Sequence, residues 1–219
     1  MMISPASLRN CRSCRCGDWW CIPQTAIPLT VGQPRSIKLV DDVVNADRLV
    51  GLVTSRDPEL ETPGPEDVYQ IGALASIHRL FRAPDGTIRL LVQGLARIVV
   101  EEYTTTEPYL RAKVRSVPET VENSLQVEAL VRNVVDQFTR YADLVPNIPG
   151  ELVSSALNVD DPLQLVYAIA TYVRIDLEDA QRLLELDSTE SKLRHLMDVL
   201  SKEIEVLELG RKIQTEATI

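Results

Sequence analysis

The sequence has few aromatic residues and no long apolar run. Phe, Trp and Tyr together make up 5% of the 219 residues. The longest apolar stretches, such as residues 90–100, are interrupted by Arg or Gln. They fall well short of the roughly 20 apolar residues that a membrane-spanning helix needs. The opening residues also lack a continuous apolar segment before a small-residue cleavage site. We therefore expect a cytoplasmic protein with no membrane partner.

Motifs for phosphate binding and catalysis are also missing. No Gly-x-x-x-x-Gly-Lys segment followed by Ser or Thr occurs, so no loop is available to hold nucleotide phosphates. The two histidines, His78 and His195, belong to no spacing motif, and a general base needs a nucleophile and an orienting partner nearby. We expect both histidines to have surface or packing roles. We predict no catalytic residue, no cofactor-binding residue and no metal ligand.

Two pairs of adjacent acids are candidates for acid–base chemistry. Asp160 and Asp161 precede a proline, as capping acids do at a helix start. Glu101 and Glu102 fit a solvated strand end. Capping and solvation explain these pairs more simply than catalysis does.

Cysteine is confined to the first tenth of the chain, where all four cysteines lie within eleven residues. Thiolates bind zinc well, but structural zinc sites usually separate two ligand pairs by a dozen or more residues. Disulfides are disfavoured in the cytosol. We expect residues 1–24 to form an atypical terminus that is disordered or aberrant, and the spacing assigns no definite role to Cys11, Cys14, Cys16 and Cys21.

Charge is unevenly distributed along the chain, whose net charge is −9. Residues 1–117 hold 14 Lys and Arg against 13 Asp and Glu, whereas residues 118–219 hold 9 against 19. An acidic balance repels phosphate backbones, and the near-neutral first half lacks a basic patch interleaved with aromatic residues. We therefore predict no nucleic-acid partner.

Residues 25–117 show the two-residue period of β-strands. Residues 110–117 alternate apolar and basic side chains, which predicts a strand with one buried face. Residues 36–47 place apolar side chains at helical spacing and predict a short amphipathic helix. The first half is therefore predicted to be β-rich.

A hairpin is the clearest local prediction in this half. Residues 71–81 and 87–93 are predicted as its two strands. Between them, Pro84 fixes φ and Gly86 tolerates a left-handed backbone, which together predict a tight turn.

After Pro118 the period changes to 3.6 residues, which is typical of helices. Capping residues at Asp161, Asp176 and Ser188 mark successive helix starts, and we predict a bundle of four or five helices over residues 118–205. The apolar stripe of the predicted helix at 122–144 favours a core role, although part of it could instead contact another protein. Its members are Val127, Leu130, Val131, Val134, Phe138 and Tyr141.

The last helix carries a heptad seam that covers too few heptads to hold chains together alone. Either the helix packs on its own bundle, or residues 206–219 begin a longer coiled coil, and we assign these residues to the start of a coiled coil. The seam residues are Leu193, Met197, Leu200, Ile204 and Leu207.

The first half contains four short motifs in this order: Pro-Leu-x-Val-Gly at 28–32, Glu-Asp-Val-Tyr-x-Ile-Gly at 66–72, Pro-Asp-Gly at 84–86 and Gly-Leu-x-Arg at 94–97. In this order they resemble the N-terminal domain of Lon proteases. The C-terminal residues 200–216 resemble the helix that leaves this domain in the family. The resemblance covers residues 25–216.

This resemblance implies an α+β fold, in which a PUA-like β subdomain at residues 25–117 precedes an all-α helical bundle. It also implies a module that captures unfolded or tagged protein clients and supports assembly of a Lon-type ring. In the family, an ATP-driven unfoldase and a Ser-Lys protease then act on the clients. Neither catalytic domain has its motifs in this sequence.

The sequence departs from the family pattern at both ends. Residues 7–10 resemble the family's entry to its first strand, but the Cys-rich segment that follows has no strand alternation. The chain closes at Ile219, where the family's coiled coil continues. We therefore hypothesise a truncated or mistranslated gene fragment.

The predicted function is that of a binding module, not an enzyme, that recognises exposed apolar segments of other proteins. One alternative is a stand-alone Lon-domain adaptor with no ring partner. The other is a small metal-binding protein that uses the cysteine cluster.

Overall fold

A computed structural model shows two compact units, one extending to Pro118 and one starting at Glu119. We call them the β unit and the helical unit. The chain combines a largely antiparallel sheet with helices, which confirms the predicted α+β class. The structure describes residues 3–6, 23–57, 59–60, 62–146 and 148–216.

The described part of the β unit contains six strands and one helix. In chain order they are β1 (Ile3–Ala6), β2 (Ala26–Val31), α1 (Pro34–Val44), β3 (Leu49–Thr54), β4 (Ile71–Arg82), β5 (Ile88–Thr105) and β6 (Arg111–Ser116). The sheet has the order β1-β3-β4-β5-β2, and β6 pairs with the later part of β5. The β1–β3 pairing is parallel, and the other pairings are antiparallel.

The predicted hairpin is confirmed as β4 and β5. The N–H of Ala83 donates to the carbonyl of Thr87 at 2.9 Å, which closes the turn. Gly86 has a φ of 83°, a left-handed conformation that side chains with a Cβ rarely adopt. The turn residues therefore carry out the role that their sequence predicted.

One face of the sheet packs beneath α1. Because successive strand residues point to opposite faces, every second residue of β2 is buried. The predicted helix over residues 36–47 is confirmed as α1, whose Leu39, Val40 and Val43 are buried in the same core. Burial of each such side chain contributes about 1.5–3 kcal/mol. The strand residues of this core include Ile27, Leu29, Val31, Ile77, Ile88, Leu90 and Val92.

A polar contact fixes α1 to the chain between β5 and β6. The buried phenol of Tyr109 donates to Oδ2 of Asp42 at 2.7 Å and accepts from the guanidinium of Arg111 at 2.9 Å. Burial is the main cause that raises the pKa of Tyr109. Its hydroxyl therefore stays protonated and able to donate.

Gly72, in the Glu-Asp-Val-Tyr-x-Ile-Gly motif, permits a close approach between strands. A Cβ at this position would lie 2.2 Å from the carbonyl oxygen of Leu52 and 2.8 Å from Cγ1 of Val53. Real Cβ contacts are not this short, so only glycine fits this approach of β4 to β3.

The sequence did not predict β1. Residues Ile3–Ala6 form a strand whose register pairs Ile3 with Gly51 and Ala6 with Thr54. The sequence favours a disordered or aberrant terminus over residues 1–24, and within it these four residues form a strand. Four residues are too few to show strand alternation, so their pairing with β3 carried no signal in the sequence. The four cysteines lie outside the described residues.

Among the described residues, five helices make up the helical unit. They are α2 (Leu125–Leu144), α3 (Gly150–Leu157), α4 (Pro162–Ala170), α5 (Leu177–Glu185) and α6 (Thr189–Glu216). The predicted capping residues are confirmed. Side-chain oxygens of Asp161, Asp176 and Ser188 accept from the N–H groups of Leu163, Asp179 and Ser191 at 2.9, 2.9 and 3.1 Å.

Helix α6 is long and packs along α2 for only part of its length. Its seam residues Leu193, Leu200 and Ile204 are buried, and Met197 and Leu207 are half-buried. Residues 209–216 are all exposed. Among the described helices, none combines the length and the apolar content that a membrane span requires.

Candidate functional site

The two histidines lie in different environments. His78 is exposed on β4. His195, on α6, lies with Nε2 2.9 Å from the carbonyl oxygen of Asp179 and 3.6 Å from its Oδ1. The contact joins α6 to α5, so His195 has the packing role that its sequence predicted.

The acid pairs have the structural roles expected of them. Asp161 caps α4, and Asp160 is an exposed neighbour. Glu101 forms an ion pair with Arg115 at 3.0 Å, and Glu102 forms one with Lys113 at 2.8 Å. The hydrogen bond from Lys113, together with its charge, lowers the pKa of Glu102.

The apolar stripe of α2 belongs to the core and does not form a free surface. Five of its six residues, Val127, Leu130, Val134, Phe138 and Tyr141, are buried and not available to another protein, and Val131 is half-buried. In the part of the chain that the structure describes, no group of three or more metal-ligating side chains could hold a metal ion.

Two polar side chains are buried for structural reasons. Arg97, in the Gly-Leu-x-Arg motif, is 1% exposed. Its guanidinium donates to the carbonyls of Val117 and Pro118 at 3.4 and 3.5 Å, and so holds the end of the β unit. Lys192 is fully buried in the helical unit, where its Nζ lies 3.0 Å from Oε1 of Glu119.

A β-bulge in β4 turns a large aromatic side chain outward. The β4–β5 register shifts between Ile77 and Arg79, so His78 is an extra residue. Before the bulge Ile77 faces the core, and after it Leu80 does. One extra residue reverses the two-residue alternation of a strand. Phe81 consequently lies on the outer face and is 61% exposed.

A second irregularity exposes a leucine of β5. Leu74 and Ala75 are paired with Ala96 and Gly94, which leaves Leu95 without a partner on β4. Leu95 is 45% exposed. The β unit thus presents two large apolar side chains at separate positions on its surface.

The helical unit presents exposed apolar side chains at the start of α2 and toward the end of α6. In the first turn of α2, Leu125 is 84% exposed, and Val121 four residues earlier is exposed too. On α6, Val206, Leu209 and Ile213 are three and four residues apart, so they lie along one side of the helix. All three are more than half exposed.

These exposed residues were not predicted from the sequence. The bulge that exposes Phe81 depends on the spacing of β5 and left no pattern in β4. Leu125 did carry a weak signal, because it is an apolar residue that lies off the stripe of α2.

The sequence of this chain, with its β-rich unit before a helix bundle, matches a known protein family. A family model described as the ATP-dependent protease La (LON) substrate-binding domain matches residues 20–202. The chain belongs to this family. The predicted resemblance to the Lon N-terminal domain is therefore confirmed.

Lon proteases are similar to this chain over most of its length. Lon protease 1 of Herpetosiphon aurantiacus is 42% identical over 199 residues, which cover 89% of this chain and 24% of that protein. Lon protease of Dictyoglomus thermophilum is 40% identical over 194 residues, with the same coverage of 89% and 24%. The chain thus spans about a quarter of the length of these relatives.

Solved Lon N-terminal domains share the fold. The N-terminal domain of a Mycobacterium avium complex Lon protease has a TM-score of 0.65 at 21% identity, and covers 84% of this chain and 94% of its own. A Lon N-terminal domain protein from Xanthomonas campestris has a TM-score of 0.62 at 15% identity, with coverage of 90% and 96%. The fold of this chain is therefore one that solved Lon N-terminal domains also adopt.

Proposed function

We propose that this Lon substrate-binding domain captures unfolded or tagged protein clients through their exposed apolar segments. It would pass them to a Lon-type ATPase and protease ring and break no bond itself. The observation that carries the proposal, for a member of this family, is that several large apolar side chains are exposed to solvent. Leu125 is the most exposed of them.

The separation of these side chains fits weak and distributed binding. In each unit they lie at separate places, so each would contribute a modest part of the affinity. A feeder domain must release its clients, and several copies around a ring raise the overall affinity without a tight individual site.

The domain boundaries and the location are part of the same proposal. We assign residues 25–117 to a PUA-like β subdomain, residues 118–205 to a helical bundle and residues 206–219 to the start of a coiled coil. We place the protein in the cytoplasm, which microscopy of a fluorescent fusion in a bacterial host would test.

The proposal is tested with a permanently unfolded, carboxymethylated protein that carries a fluorescent label. We expect saturable binding to the full chain by fluorescence anisotropy. Leu125→Ser should weaken it, by about tenfold or more if a client fully buries the leucine. Gln126→Ser introduces the same residue at the exposed neighbouring position and should leave binding unchanged. No saturable binding at high concentration, or equal effects of the two substitutions, would contradict the proposal.

A further inference from the structure

The outer face of the β4–β5 hairpin combines an exposed aromatic ring with two arginines. Phe81 is directly opposite Arg89, and Arg79 is directly opposite Leu91. Arg79 and Phe81 are two residues apart after the bulge, so both point outward. Phe81, Arg79 and Arg89 are exposed, and Leu91 is half-buried. We call these four residues the hairpin patch.

The two arginines of the hairpin patch are not neutralised by ion pairs. Neither Arg79 nor Arg89 forms one within the described chain, whereas Arg82 pairs with Asp41 on the opposite face. Asp85 in the turn interacts electrostatically with Arg89, but its carboxylate accepts the N–H and hydroxyl of Thr87. The patch is therefore positively charged on a chain whose net charge is −9.

We propose that the hairpin patch binds client segments in which an aromatic or aliphatic residue is flanked by Asp or Glu. This inference rests on the proposed function and specifies which clients this face prefers. The ring of Phe81 offers apolar area to the central residue of the client. Guanidinium groups bind carboxylates through paired N–H donors, and here one lies on each strand beside the ring.

A polypeptide fits the hairpin patch better than a nucleic acid does. Single-stranded nucleic acid is bound by several aromatic platforms along a continuous basic groove. The patch has one aromatic ring and two arginines, and the first 117 residues are near neutral in total. The acidic chain as a whole would also repel a phosphate backbone.

The experiment uses two labelled peptides of equal length with a central Phe, one flanked by Asp and one by Lys, and the full 219-residue chain. We expect the Asp-flanked peptide to bind about tenfold more tightly at low salt, because exposed ion pairs each contribute up to about fivefold in affinity. The difference should shrink at high salt as the charges are screened.

Substitutions assign this preference to the patch. Arg79→Thr with Arg89→Thr should abolish the difference between the peptides, and Phe81→Thr should weaken both. Lys113→Thr with Arg115→Thr removes the same charge from exposed positions on β6 and should keep the difference. Threonine suits exposed strand positions, and circular dichroism would verify that each variant is folded.

Three outcomes would overturn the inference. The peptides could bind equally to the unsubstituted chain, or the Arg79/Arg89 double variant could retain the preference. A single-stranded oligonucleotide could also bind the same arginines more tightly than the Asp-flanked peptide. If the unfolded protein still binds in these cases, the proposed function stands and only the client preference fails. If neither the peptides nor the unfolded protein bind, both fail.

Discussion

Nζ of Lys192 lies 3.0 Å from Oε1 of Glu119, and the two side chains are 0% and 7% exposed. Lys192 also donates to the carbonyls of Leu183 and Leu184 at 2.6 and 3.4 Å. These carbonyls lie in the last turn of α5, where a helix cannot bond them internally. The hydroxyl of Tyr167 donates to the same oxygen of Glu119. The ion pair thus joins the first residue of the helical unit to α4, α5 and α6.

Removal of this lysine should strongly destabilise the helical unit. Lys192→Met leaves the carboxylate of Glu119 buried without its cation, which costs about 3–5 kcal/mol. Urea unfolding followed by circular dichroism measures the loss. Lys202→Met is the matched control on α6, because Lys202 is exposed and 3.9 Å from Asp176. We expect this control to cost less than about 1 kcal/mol. Equal unfolding midpoints for the two variants would show that the buried ion pair stabilises the protein no more than the exposed one does.

Gly72→Ala should destabilise the β unit. The new Cβ meets the carbonyl oxygen of Leu52, which is backbone and cannot rotate away. Forced overpacking of this kind costs about 1–3 kcal/mol. Gly210→Ala is the control, since a Cβ there meets nothing within 4 Å and alanine favours a helix by about 1 kcal/mol. The midpoint temperature of thermal unfolding should therefore fall for Gly72→Ala and rise for Gly210→Ala. A Gly72→Ala protein as stable as the parent would contradict the close approach of the strands.

The adjacent acids before α4 should differ sharply in their effect on stability. Asp161→Ala removes the oxygen that accepts from the N–H of Leu163 and should cost about 1 kcal/mol. Asp160→Ala removes an exposed side chain and should have almost no effect. Comparison of the two unfolding curves decides between capping and a shared role of the pair. Equal losses would argue against capping by Asp161 alone.

The turn carboxylate of Asp85 should titrate below its usual range. Hydrogen bonds from the hydroxyl and N–H of Thr87 are the main causes that lower its pKa. A carboxylate with a lowered pKa stabilises the fold above its unfolded pKa, and loses that contribution as the pH falls through the folded pKa. NMR titration of the Thr87→Val variant should show a higher pKa for Asp85 and an unchanged pKa for Glu102. No change at Asp85 would contradict the hydrogen bond to the hydroxyl.

Local patterns in the sequence were sufficient to predict much of the fold. Pro84 and Gly86 predicted the hairpin turn because a turn depends on the φ values of its own residues. Asp161 and Asp176 predicted helix starts because a cap bonds to N–H groups two or three residues away. The stripe of α2 predicted a core face because every helix of a bundle buries one side.

The features that were missed depend on residues distant in the sequence. The bulge at His78 exists only relative to β5, so nothing in β4 indicated that Phe81 points outward. Lys192 followed the pattern of a solvated helix residue, and its burial depends on Glu119 and the carbonyls at the end of α5. The exposed apolar residues could therefore be identified only from the three-dimensional structure of each unit.

Client binding is tested most directly by calorimetric titration of the full chain with one protein in its unfolded and its folded form, at several temperatures. We predict saturable binding of the unfolded form with a negative heat-capacity change, because apolar surface is buried on binding. The folded form should give no binding heat. Equal binding of both forms, or no saturable heat with either, would contradict capture of exposed apolar segments.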